Sequence, residues 1–167
     1  MPDVLFLPEC YADTALINLL APANTRIDHI FGIRNVVQEM KSIAENRPNF
    51  TVVGIIDNDK RSPAYFDDFV LIDQFEKITF KKKSDTNQYL ITLDKAIETF
   101  LLWNAEKINL NITQYGFPTN LKQFCKAVKR TTIGYDPNYL QLLAELKNRR
   151  APGFITLENI LNDFLTT

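Results

Sequence analysis

The run Thr51-Val52-Val53-Gly54-Ile55-Ile56 constrains the fold more than any other stretch of the chain. Five of its six residues are β-branched, Gly54 being the exception, and such side chains favour a strand. A near-continuous apolar run belongs to a strand covered on both faces, the usual case in parallel α/β sheets. Asp57-Asn58-Asp59 follows at once. Two carboxylates therefore leave the sheet at the carboxyl end of that strand, the edge at which open α/β sheets bind ligands.

Upstream, Val4 to Leu7 is a short apolar run stopped by Pro8, and it reads as a first strand. Glu9-Cys10-Tyr11-Ala12-Asp13 is a turn, after which Ala12, Leu16, Leu19 and Leu20 recur at helical spacing. Asp13 opens that helix, where a carboxylate suits the positive end of the helix dipole. Arg26 to Phe31 reads as a second strand, and Gly32 opens a helix with Val36, Val37, Met40 and Ile43 on one face. The order β-α-β-α-β predicts right-handed parallel crossovers. All three strands then end on one edge, so Glu9 can meet Asp57 and Asp59 if the first and third strands are neighbours.

Beyond Asp59 the pattern changes. Phe69 to Ile72 reads as a fourth strand, and Phe75 to Phe80 with Gln88 to Leu93 as a hairpin with Lys81-Lys82-Lys83 near its tip. The remainder is helical. Leu93 to Leu101 share one apolar face, and Leu121, Phe124, Cys125 and Val128 another. Asp136-Pro137 caps a helix carrying Tyr139, Leu142, Leu143 and Leu146, and Thr156 caps a last one. The fold class expected is α/β, Rossmann-like, with a central mainly parallel sheet flanked by helices, a hairpin and a helical C-terminal half. Residues 1–75 form the α/β core, and 76–167 pack on it to make one compact domain.

A hydrophobic content of 46% against 23% charged residues argues for a packed core rather than disorder. No apolar run approaches the ~20 residues that span a bilayer, so no membrane partner is expected. Met1 to Leu7 is too short, and lacks the basic flank, for a signal peptide. Cys10 and Cys125 have neither metal-ligand spacing nor the makings of a disulfide framework, which fits a reduced, cytoplasmic protein. A net charge of −1 excludes binding nucleic acid through bulk charge, so such a role needs a local basic patch or a metal ion.

Hard divalent cations take oxygen ligands and often use one or two carboxylates with phosphate and water. Asp57 and Asp59 can aim at one ion from a strand-end turn, with Glu9 as a third ligand or a proton carrier. Glu9 with Asp13 four residues on, Gly32 before a helix, and a buried strand running into Asp57-x-Asp59 together resemble the TOPRIM domain. That domain occurs in topoisomerases, bacterial primases, ribosomal-RNA-maturing nucleases and overcoming-lysogenization-defect nucleases. The resemblance covers residues 3 to 75, and Cys10 stands where the family has glycine in its E-G-x-x-D turn. It implies Glu9 as general acid/base or metal ligand, Asp57 and Asp59 as ligands of Mg²⁺ (or Mn²⁺), and Asp13 as the residue that orients the turn. It implies Mg-dependent phosphodiester chemistry on nucleic acid, nuclease-like. No zinc motif or large scaffold accompanies it, against a primase or topoisomerase.

Other readings stay open. The chain can also be read as a catalytically silent TOPRIM-shaped module in a larger complex, with a protein partner. A receiver-like reading makes Asp57 a phosphoacceptor, but the first strand supplies one acid where a receiver wants two. Lys60 and Arg61, directly after the acids, are candidate phosphate ligands. Lys122, Lys126, Lys129 and Arg130 recur at helical spacing and form either a basic face or an ordinary solvated one. His29, the only histidine, reads as structural.

Overall fold

Strands β1 (Val4–Pro8) and β3 (Thr51–Asp57) lie side by side in parallel, Val4 opposite Thr51 and Pro8 opposite Ile55. The computed structural model that shows this describes residues 3–58 and 61–166. Among the described residues the sheet has six strands in the order β2-β1-β3-β6-β5-β4. The others are β2 (Arg26–Ile27), β4 (Phe69–Gln74), β5 (Ile78–Lys83) and β6 (Gln88–Leu93). β2, β1, β3 and β6 run parallel, while β5 and β4 are antiparallel additions at one side. The architecture is α/β with a mixed sheet. Because β6 joins β3 directly, the boundary expected at residue 75 falls inside one continuous sheet.

Alternation along the strands builds two unequal cores. Val4, Phe6, Val53, Ile55, Ile91 and Leu93 face the larger one, with α1 (Tyr11–Leu20), α3 (Ile97–Lys107), α4 (Leu121–Val128), α5 (Pro137–Asn148) and α6 (Pro152–Thr166). Leu5, Leu7, Val52, Ile56 and Leu90 face the smaller one, beneath α2 (Ile33–Asn46) and Phe66. Gly54 interrupts the apolar run because α2 crosses there: a Cβ would lie 2.9 Å from Met40 Sδ and 3.3 Å from Val36 Cγ1.

Several local expectations are corrected. The second strand is two residues long rather than six, since only Arg26 and Ile27 pair with β1. Beyond them, single hydrogen bonds from Asp28 N–H to Phe6 O and from Ile30 N–H to Pro8 O keep the chain beside the strand. The hairpin's first arm starts at Ile78, not Phe75, and includes Lys81 to Lys83. The helix expected from Leu93 starts at Ile97, because Leu93 closes β6. The last helix starts at Pro152 rather than at a Thr156 cap; Pro-Gly opens it, proline suiting the first turn where no N–H partner is needed. The Thr156 hydroxyl instead donates back to Pro152 O. Among the described residues no helix is long and apolar enough to cross a membrane.

One buried polar contact locks α6 to α3. Gly153 N–H, in the first turn of α6, donates to Asn104 Oδ1 at 2.7 Å, and Asn104 Nδ2 donates to Phe100 O. A Cβ at Gly153 would sit 2.6 Å from Phe100 Cε2 and from Asn104 Nδ2. Gly153→Ala and Asn104→Ala are each expected to cost about 1–3 kcal/mol, the first by overpacking and the second by stranding a buried donor. Urea unfolding checks this: the midpoint falls with the slope unchanged, and an unmoved midpoint in both variants refutes the lock.

Candidate functional site

Parallel pairing of β1 with β3 carries Glu9 to Asp57. Glu9 N–H continues the ladder, donating to Ile55 O at 3.0 Å, and Asp57 N–H donates to Glu9 Oε2 at 3.3 Å. Asp57 also reaches the next element. Its Oδ1 accepts the N–H of Ile97 at 3.0 Å. Ala96, at the N-cap position of α3, has no side-chain acceptor, so the carboxylate of β3 supplies the cap from outside the helix. Asp57 thereby gains the positive end of the α3 dipole.

Cys10 occupies the N-cap of α1 with φ −135° and ψ 168°, an extended conformation open to any residue. No glycine is required in this turn. Cys10 Sγ accepts Asp13 N–H at 3.3 Å, and its thiol donates to Asp13 Oδ2 at 2.9 Å, a reciprocal arrangement across the first turn. Burial, and after it the charge of Asp13, pushes the Cys10 thiol far above its ordinary range. It stays protonated and serves as a donor, not as a nucleophile. The Asp13 carboxylate and amide both engage Cys10, the residue after Glu9.

Glu98, in the first turn of α3, is the acid that sequence reasoning missed. It is 2% exposed, and its Oε2 has no hydrogen-bond partner; Asp13, 1% exposed, has an unpartnered Oδ1. The same signal that marked Glu9 and Asp57 marks Glu98, an acid shortly after the carboxyl end of a parallel strand. It passed unnoticed because β6 reads as a hairpin arm rather than as the neighbour of β3. Glu9, Asp57 and Glu98 line a pocket of about 250 Å³ whose other walls include Tyr11, Phe31, Lys129 and Arg130.

The remaining expected residues divide. Asp59 and Lys60 lie outside the described residues. Arg61 is exposed and is not among the side chains that line the pocket. Lys82 pairs with Tyr89 near the start of β6, whereas Leu93, opposite Asp57, is at its end, so the lysine run of β5 lies away from the acids. Lys83 and Lys82 sit over the rings of Tyr65 and Tyr89. His29 lies beyond β2, stacks on Tyr11 with centroids 4.1 Å apart, and meets Thr14 Oγ1 through Nδ1 at 3.0 Å. Desolvation lowers its pKa, which favours the neutral ring.

No protein-family model, curated protein or solved structure matches the chain. Its chemistry has to be read from the corner itself. Among the described residues, no three His, Cys, Asp or Glu side chains group closely enough to hold a metal ion. Glu9 and Asp57 are two of the three ligands expected, and Asp59 is the third. Oxygen atoms of carboxyl groups, the donor type that hard cations take, dominate the corner; two buried ones (Asp13 Oδ1 and Glu98 Oε2) lack hydrogen-bond partners, and the Cys10 thiol is already engaged.

Burial, then the Asp57 charge, with lesser contributions from Glu9 and Glu98, raises the pKa of Asp13 well above the carboxylate range, while the Cys10 hydrogen bond opposes the rise. A carboxyl that binds its proton more tightly folded than unfolded stabilises the fold below the unfolded pKa. That contribution disappears as pH rises through the folded value. Stability is therefore expected to fall from about pH 4, the ordinary carboxylate range, towards neutrality. Asp13→Asn removes the titration and turns amide hydrogens towards carboxylates, so it should melt higher than the parent at neutral pH, with the gap closing on acidification. Thermal melts across that range check it, and a gap that widens on acidification reverses the assignment.

Proposed function

We propose that this chain is a small TOPRIM-like protein that carries out Mg²⁺-dependent phosphodiester chemistry on nucleic acid, in the manner of a nuclease. The observation that carries the reading is the hydrogen bond from Asp57 N–H to Glu9 Oε2, which joins acids 48 residues apart at one rim of the sheet. Two further features support it. Glu98 adds a buried acid to the same pocket, and Lys129 and Arg130 line it as well, where an anionic substrate needs compensating charge.

In this reading Glu9 and Asp57, with Asp59, would hold the ion. Bound there, such an ion would supply charge to polarise a phosphate and to lower the pKa of water. Glu9, buried at the pocket floor beside the Asp57 backbone, takes up a proton from the attacking water as general base. Asp57 keeps the carboxyl end of β3 and the start of α3 in fixed relation through its bond to Ile97 N–H. Cys10 and Asp13 hold the turn that presents Glu9. Lys129 and Arg130 neutralise charge on the phosphate, Arg130 being oriented by Asp136 at 2.6 Å.

A second reading has an observation of its own. Val70, Leu71 and Ile72 on β4, at the edge of the sheet, are 60%, 49% and 50% exposed. An exposed apolar edge strand invites another chain, which favours a catalytically silent interaction module.

A cleavage assay separates the two. With Mg²⁺ or Mn²⁺ and labelled single- and double-stranded DNA and RNA, Glu9→Gln and Asp57→Asn should each reduce the rate by at least about 100-fold, the scale of a lost general base or charge-stabilising group. Equal rates in all three proteins exclude the mechanism. Absence of cleavage on every substrate, with a stable protein partner recovered through β4, establishes the silent module.

A further inference from the structure

The cation-bearing wall of the pocket continues beyond it. Between Ile108 and Tyr135 the chain carries four cations and no carboxylate, in a protein whose net charge is −1. Lys122, Lys126 and Lys129 follow at spacings of four and three, so one exposed face of α4 and its C-terminal cap bears all three. None of them is in an ion pair among the described residues. The opposite face, Phe124 and Val128, is buried. A shallow groove runs along these lysines and Cys125 to Arg130, and Lys129 and Arg130 are shared with the wall of the acidic pocket.

An aromatic lines the same pocket. Phe31 is 71% exposed, yet its backbone is held on both sides: Ile30 N–H donates to Pro8 O, Gly32 N–H to Glu9 O, and Asn35 Nδ2 to Phe31 O at 2.7 Å. A solitary exposed phenylalanine means little. Here the backbone that carries the ring is anchored, and the pocket beside it is lined by Glu9, Asp57 and Glu98 together with Lys129 and Arg130.

We infer that this pocket and the α4 ridge form a binding track for an unpaired nucleic-acid strand. Phosphates follow Lys122, Lys126 and Lys129, and a base stacks on Phe31 as the strand enters the pocket. Alternating cations and exposed rings is how single strands are held with little regard to sequence, because every base has a π-face and every nucleotide a phosphate. The inference takes from the phosphodiester reading only the class of ligand. It adds the strand's path and its unpaired state.

Fluorescence anisotropy tests it, with labelled DNA and RNA 20-mers, single-stranded and duplex, in EDTA so that no cleavage occurs. Single strands are expected to bind more tightly than duplexes, and the DNA and RNA arms identify the sugar preferred. The triple variant Lys122→Gln, Lys126→Gln, Lys129→Gln should weaken binding by at least about 10-fold and flatten the slope of log K against log salt by about 2, roughly 0.7 for each phosphate that the variant leaves unneutralised. Phe31→Ala should weaken it by about 10-fold with the salt slope unchanged, and Phe31→Tyr should restore it. All these residues are exposed, and thermal melts confirm that each variant is folded. Binding in the lysine and Phe31→Ala variants equal to the parent's overturns the track. So does a duplex held as tightly as the single strand with Phe31→Ala silent, or lysine-dependent binding to vesicles of 30% anionic lipid without oligonucleotide binding. Strand binding as expected, with no cleavage in Mg²⁺, removes the catalytic reading and leaves the track. Cleavage that needs Glu9 but is unchanged in Phe31→Ala and in the double variant Lys122→Gln, Lys126→Gln does the reverse.

Discussion

The parallel pairing of β1 with β3 is the constraint on which the rest of the molecule depends. Its hydrogen bonds fix Glu9 beside Asp57, and Asp57 in turn caps α3 through Ile97 N–H. One strand end therefore organises three elements. A helix that lacks a capping side chain of its own at Ala96 borrows one from the sheet, which ties the larger helical layer to the acidic corner. Movement of the carboxyl end of β3 would loosen both the corner and the helix.

That corner is electrostatically expensive. Glu9, Asp13 and Glu98 are nearly inaccessible, and Asp57 adds a fourth carboxyl close enough to raise Asp13's pKa. Like charges in a poorly solvated place oppose one another, and the molecule responds locally by giving Asp13 a thiol donor from Cys10. The rest of the compensation is distributed. The first turn of α3 points the Ile97 N–H at the Asp57 carboxylate, and the cations that line the pocket, Lys129 and Arg130, are exposed whereas Glu9 and Glu98 are buried. Such an arrangement sets buried negative charge beside exposed positive charge.

The antiparallel half of the sheet has a different role. β5 and β4 widen the sheet and place the lysine run of β5 towards the end of β6 remote from the acids, where Lys82 and Lys83 lie over aromatic rings. β6 is what matters to the corner. Its insertion against β3 brings the chain back to the same rim, so α3 begins where Asp57 can reach it and Glu98 joins Glu9 and Asp57.

Local signals were enough for the strand Thr51–Asp57, the helices after Cys10 and Gly32, the Asp136-Pro137 cap and the suspicion that Glu9 and Asp57 end on one edge, because each rests on periodicity, capping or crossover handedness. Chain-local reading was weaker at the two-residue β2, whose length depends on how many residues β1 can pair. It placed the start of α6 five residues late because Pro-Gly reads equally as a break or as a first turn. Tertiary structure alone decided that β6, read from the sequence only as a hairpin arm, borders β3, and therefore that Glu98 belongs with the other acids. It also decided that Cys10 is a cap in extended conformation and that Phe31 and Lys129 face one pocket. The physical reason is range: propensity and pattern act over a few residues, whereas strand adjacency and the burial of charge are properties of segments that meet only after the sheet has closed.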